Sequence, residues 1–183
     1  MDNQSDRTPK MANFEYINLQ RPFPGEPEIN GFLLAEGTSV TLLYEFYDFN
    51  PVGFTLLRND QITRILSRDK ELFFKKIIEA EHLFSHEMNL PKISLDGFYS
   101  SLNSLREAFL IIECESTYDD NEDEFYIGKI NFFTDFSIEF KTFDTLGNWD
   151  STASEITLEN ITKIQFGSRY INIISKYLNN KNH

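Results

Sequence analysis

A chain of 183 residues that is 40% hydrophobic, with 18 Phe and 8 Tyr, can bury a core without disulfides or metals, because a domain of this size removes roughly 70% of its unfolded surface from water. Its lone cysteine, Cys114, excludes a disulfide framework, and no apolar run reaches the roughly 20 residues of a membrane-spanning helix. The net charge of −12 disfavours nucleic acid and anionic membrane as partners, since like charges repel.

Residues 1–12 are polar and lack the apolar centre of a signal peptide, so they are expected to be a disordered arm, with Met11 a candidate start. A reducing, cytoplasmic setting fits the single thiol. Phe14–Leu19 alternates weakly and predicts an edge strand. Arg21–Glu28 carries three prolines and a glycine in eight residues and is a connector. Short strands follow over Gly31–Glu36, Val40–Phe49, Phe54–Arg58 and Gln61–Leu66, with a turn signal at Asn50-Pro51-Val52-Gly53. In the second strand Leu42, Tyr44 and Phe46 share one face. From Asp69 the period turns helical, with Leu72, Phe73, Lys76, Ile77, Ala80 and Leu83 or Phe84 forming an apolar stripe, and the helix is expected to end before Asn89-Leu90-Pro91.

After a linker, Asp96 is the expected N-cap of a helix over Gly97–Ala108 whose apolar face is Phe98, Leu102, Leu105 and Phe109. Strands are predicted over Phe109–Glu115, Glu124–Phe133, Phe136–Phe143, Ser154–Leu158 and Ile161–Phe166. Cys114 falls on the first of these with Leu110 and Ile112, which reads as a buried structural thiol. Arg169–Leu178 is a closing helix with Tyr170, Ile173, Ile174 and Tyr177 at helical spacing.

The two halves run in parallel. Ile62-Thr63-Arg64-Ile65 matches Ile161-Thr162-Lys163-Ile164, and each is followed by an amphipathic helix. The expected architecture is α+β, with two tandem small β-barrel-like halves of SH3-like or Sm-like type, each followed by a helix. The boundaries are an arm over 1–12, a first half over 13–90 and a second over 91–183. The turn Asp144-Thr145-Leu146-Gly147-Asn148 resembles the Asp-x-x-x-Asn turn of Sm-like proteins, which implies a barrel and an RNA-binding or scaffold role. The glycine turn that completes the Sm pocket has no counterpart in Ile161-Thr162-Lys163-Ile164. The whole chain also resembles a family of bacterial proteins with the same two-half layout, a resemblance that brings no function with it.

Chemistry-bearing patterns are few. Glu79, His82 and His86 fall on one face of the first helix at metal-ligand spacing, but the pattern lacks a Glu directly after the first His, and the reading preferred is helix-end histidines favoured by the helix dipole. No nucleophile elbow, phosphate loop or dinucleotide fingerprint is present, so no catalytic residue, cofactor or metal is assigned. The charge is the strongest lead. Residues 107–160 hold 14 Asp and Glu but only two Lys, Lys129 and Lys141, and therefore carry the whole net charge. One reading is a solvated surface that aids solubility. The other is a landing site for a basic protein, such as a toxin domain neutralised by an immunity protein. Its charges would be Asp119, Asp120, Glu122, Asp123, Asp144 and Asp150, with Tyr118 and Trp149 as anchors.

Overall fold

The computed structural model describes residues 14–23, 28–85, 88–109, 111–117 and 123–178. The arm expected over 1–12 lies outside them. Strands β1 (Glu15–Gln20), β2 (Ile29–Glu36), β3 (Val40–Tyr47) and β4 (Asn50–Arg58) form an antiparallel meander. A 3-10 turn, Asn59–Gln61, then leads to β5 (Arg64–Leu66), which returns beside β1, and α1 (Asp69–Ala80) follows. The second half opens with α2 (Phe98–Ala108) and repeats that order. Strands β6 (Ile112–Thr117), β7 (Asp123–Phe133), β8 (Ser137–Thr142) and β9 (Ser154–Thr157) make a second meander. A 3-10 turn, Leu158–Asn160, precedes β10 (Ile161–Phe166), which returns beside β6, and α3 (Arg169–Leu178) ends the described chain.

The two expected barrels are not formed. All ten strands belong to one open antiparallel sheet in the order β5-β1-β2-β3-β4-β10-β6-β7-β8-β9. A barrel requires the fourth and fifth strands of one half to close on each other. Here β4 instead takes β10 of the other half, with Phe54, Thr55 and Leu56 opposite Phe166, Gln165 and Ile164. The three-residue β5 pairs with β1 and remains at the sheet edge. The α+β class stands. The two Ile-Thr-basic-Ile segments each lead from a 3-10 turn into the last strand of their half. Their surroundings differ: Ile65 on the edge is 41% exposed, whereas Ile164 inside the sheet is buried. Strand β1, predicted as an edge, lies between β5 and β2.

Strand alternation sorts the core. Phe32, Leu42, Phe46, Leu56, Cys114, Phe140, Ile164 and Phe166 face one side, where Ile78 of α1 and Leu102 and Leu105 of α2 cover them. A smaller cluster of Ile17, Leu19, Ile29, Leu43 and Leu57 belongs to the first half, and Ile111, Ile171 and Leu178 form a third beneath α3. Cys114 is buried and its thiol is pushed up by that burial, with the Glu115 charge adding to it, as expected of a structural side chain.

Two helices turn different faces inward from those the periodicity suggested. In α1, Leu72 and Phe73 are exposed while Glu71 and Ile78 are buried. The cause is at its N-terminus, where the Glu71 carboxylate accepts the Arg68 backbone N–H at 2.9 Å and the Arg68 guanidinium and so fixes the helix rotation. In α3, Ile171 and Leu178 are buried; of the expected stripe Ile174 packs partly buried against them, whereas Tyr170, Ile173 and Tyr177 are exposed. Asp96 does not cap α2: Gly97 is the N-cap, and Asp96 accepts the Ser94 hydroxyl at 3.1 Å. Helix α1 stops at Ala80, and His82 has a left-handed backbone at φ 55°, which breaks the helical register with Glu79. His86 lies outside the described residues. Among those described, no group of three His, Cys, Asp or Glu is placed to hold a metal ion, and no helix is long and apolar enough to cross a membrane.

The sheet curls enough for Arg21, just beyond β1, to reach Glu115 on β6, with four strands between them in the sheet order, and in each half the second and third strands approach closely. A Cβ built on Gly31 of β2 would fall 2.4 Å from the Tyr44 carbonyl oxygen, and one on Gly128 of β7 only 2.1 Å from that of Lys141. Bulges at Leu33/Ala35 and Ile130/Phe132 add local twist at the same pairs of strands.

Candidate functional site

The curl brings together the end of the first half that holds the β1–β2 connection and the end of the second that holds the β6–β7 connection. Between them opens a cleft of about 560 Å³. Asn30 comes from the start of β2 and Glu28 from just before it, Glu45 and Tyr47 from the end of β3 and Asp48 from the turn after it, and Glu115 from β6. Glu124 and Phe125 come from the start of β7, Thr162 and Lys163 from the start of β10, and Arg21 from just beyond β1. Among the described lining residues, five carboxylates face two cations.

Both cations are engaged within the protein. The Arg21 side chain is only 4% exposed. It donates to the Thr162 carbonyl at 3.2 Å and lies 3.7 Å from the Glu115 carboxylate. Lys163 reaches the other oxygen of Glu115 at 2.5 Å. These contacts tie the end of β1 to β6 and β10 across the cleft floor. Glu45 accepts the Thr55 hydroxyl at 2.6 Å and the Gln165 amide at 2.8 Å, so its carboxylate is held in a fixed direction. The side-chain amides of Gln20 and Asn18, each 2.7 Å away, hold Glu28 below the usual carboxylate range. Tyr126 donates its hydroxyl to Glu124. The rim adds aromatic rings: Tyr47 is 69% and Phe125 54% exposed. Fixed anions beside exposed rings suit a cation, which is attracted both by charge and by ring faces.

Beside this network, Glu113 of β6 accepts the Ser168 hydroxyl at 3.3 Å. Burial pushes its carboxyl up; the Glu115 and Glu45 charges add to this, against the Ser168 hydrogen bond and Lys163. The folded state therefore holds the Glu113 proton more tightly than the unfolded chain does. Ionised Glu113 costs stability above its folded pKa and costs none below its unfolded pKa, near pH ~4. Glu113→Gln keeps an acceptor for Ser168 and is expected to raise Tm at pH 7, with the gain vanishing in acid. A Tm at pH 7 that stays the same or falls would show that the ionised carboxylate is no burden to the fold.

The residues singled out from sequence divide into two places. Tyr118, Asp119, Asp120 and Glu122 lie outside the described residues, and Asp123 is placed only as the first residue of β7. This acidic run connects β6 to β7, the strands that supply Glu115 and Glu124 to the cleft. Asp144, Trp149 and Asp150 do not line the cleft. They belong to the turn after β8, where Phe143 bridges Trp149. Asp144 accepts the Leu146 and Asn148 backbone N–H groups, each at 2.9 Å, so its carboxylate serves the turn itself. Asp150 accepts the Thr142 hydroxyl. Trp149 packs edge-on to Phe143 at 5.7 Å, with Lys129 4.6 Å above its ring.

Sequence reading missed Glu28, Glu45, Asp48, Tyr47 and Phe125. Charge summed along the chain puts the whole excess in residues 107–160, because the acids of the first half are offset by the bases of the rest of the chain. The available signal was finer: the outward parity of Glu45 and Tyr47 on β3, and Phe125 directly after a run of acids. No protein-family model, curated protein or solved structure matches this chain.

Proposed function

We propose that the chain is a non-enzymatic protein-binding module that takes a basic segment of a partner into the acidic cleft. The observation that carries this is the cleft's composition: oriented carboxylates and exposed aromatic rings, with Arg21 and Lys163 already engaged by Glu115. The narrower form of the reading is a cytoplasmic inhibitor of the immunity type that covers a basic toxin domain, and the chain's charge supports it. The acidic run Asp119–Asp123 would extend the attracting field. The same field repels phosphate, so a single-stranded RNA is expected not to bind near physiological salt.

A lysine–serine peptide is the direct probe. Titrated at low salt, it is expected to shift the backbone amide resonances of Glu45, Tyr47, Phe125 and Lys163, while a glutamate–serine peptide of equal length shifts none. Asp48→Asn, which keeps the left-handed backbone of that turn, combined with Glu124→Lys should slow association by about tenfold, within the range that steering by charged clefts commands. The folded state should be little affected, because exposed charges contribute little to stability. At 1 M salt the Debye length falls to about 3 Å and the difference should shrink. Equal shifts from both peptides, or an association rate indifferent to the substitutions and to salt, would leave the acidic surface as a solubility device only.

A further inference from the structure

The cleft does not end at its carboxylates. Asn30 and Asp48, on its rim, also line a smaller pocket of about 90 Å³ closed by Tyr16, Lys70, Glu71 and Phe74. Phe74 is the inner ring of an aromatic platform: Phe49, in the β3–β4 hairpin, stacks on it at 5.2 Å, and Phe73 meets its edge at 6.5 Å. Lys70 Nζ lies 6.0 Å from the centre of the Phe74 ring. The outer rings have no such cover. Phe73 is 60% exposed, Phe49 39%, and Leu72, the neighbour of Phe73 on α1, 49%. Asp48, with a left-handed backbone at φ 53°, turns the hairpin between Tyr47 on the cleft side and Phe49 on the platform side.

Single exposed apolar side chains on a surface need no explanation. Adjoining ones that include stacked rings, rimmed by charge, mark interaction sites. The anionic cleft adjoins the platform through Asn30 and Asp48, which line both the cleft and the small pocket closed by Phe74. We infer that the partner segment is amphipathic as well as basic, placing a Lys or Arg in the cleft and an apolar side chain on Phe49 and Phe73. This rests on the reading of the cleft as a site for a basic partner and adds the second contact. Charge complementarity selects a protein segment over an anionic lipid surface, which Glu28, Asp48 and Glu45 would repel.

Two peptides of equal length and charge test it, one of lysine and leucine at helical spacing and one of lysine and serine, measured by calorimetry at physiological salt. The lysine–leucine peptide is expected to bind about tenfold or more tightly, the usual worth of one well-seated apolar anchor. Phe73→Ser, at an exposed position, should reduce that peptide to the affinity of the other and leave the lysine–serine peptide unchanged. A melting curve confirms that the variant is folded. Asp48→Asn, which keeps the left-handed turn and removes the charge, should weaken both peptides. If the two peptides bind equally, or if Phe73→Ser keeps the preference, the platform takes no part and the cleft reading stands alone. If neither peptide binds, the cleft reading falls and this inference with it. Binding of phosphatidylserine vesicles that Phe73→Ser abolishes, without any peptide preference, would assign the platform to membrane instead.

Discussion

Phe140→Ala is expected to lower the free energy of unfolding by about 3–5 kcal/mol, and Ile164→Ala by about 2–5 kcal/mol. Both side chains are fully buried in the main core. Phe140 sits on β8 between Ile130 of β7 and Ser154 of β9, with the Tyr126 ring 6.0 Å away. Ile164 lies on β10 between Leu56 of β4 and Cys114 of β6. Strands hydrogen-bonded on both sides cannot close in on the space left by truncation, so the cavity cost adds to the lost burial. Domains of this kind have roughly 5–15 kcal/mol in total, and either change removes a large share. Urea unfolding should show a lower midpoint with an unchanged slope. Phe136→Ala is the control: that ring is 78% exposed, and the expected change is within about 0.5 kcal/mol. A loss under about 0.5 kcal/mol at Phe140 would mean that its ring is not packed as described.

Gly128→Val is expected to be at least as damaging, at about 3 kcal/mol or more, or to prevent folding. A Cβ there would fall 2.1 Å from the Lys141 carbonyl oxygen, with the Lys141 carbonyl carbon at 2.8 Å and the Phe140 ring at 3.0 Å. Backbone atoms in a ladder cannot swing aside like the end of a long side chain. The strands must separate, which strains the pairing of Gly128 with Thr142 and Ile112. Overpacking alone costs about 1–3 kcal/mol, and each lost ladder bond adds about 1 kcal/mol. Gly31→Val should act alike, since its Cβ would lie 2.4 Å from the Tyr44 carbonyl oxygen. Gly97→Ala is the contrast, with the nearest atom 3.6 Å away, and should cost less than about 1 kcal/mol. A Gly128→Val protein with wild-type Tm would show that the second and third strands can part at no cost.

Local structure was legible in the sequence where one signal dominates. The alternation of Leu42, Tyr44 and Phe46 placed β3, and the periods over 98–108 and 169–178 placed α2 and α3 almost to the residue. What a single strand's pattern cannot carry is the identity of its neighbour. Leu56 and Ile164 read as core whether β4 meets β5 or β10, so a closed half and an open shared sheet look the same residue by residue. Helix rotation failed for a related reason. In α1 one charged residue, Glu71, is turned inward by its bonds to Arg68, and hydrophobic periodicity counts it as outward. The candidate site was half legible. Its acids from β6 and β7 lie in the charged segment, whereas Glu28, Glu45 and Asp48 join them only after the sheet curls.

The pairing of β4 with β10 also sets an order of events during synthesis. Residues 54–56 of β4 are translated long before residues 164–166 that cover them. Until β10 emerges from the ribosome, a nascent first half presents a bare strand edge bearing Phe54, Leu56 and Leu57. Such an edge is a template for pairing with the wrong chain. Slow translation through the second half would prolong that exposure. A chain truncated before β10 should therefore aggregate through β4, and a peptide carrying Ile161–Phe166 supplied in trans should suppress it.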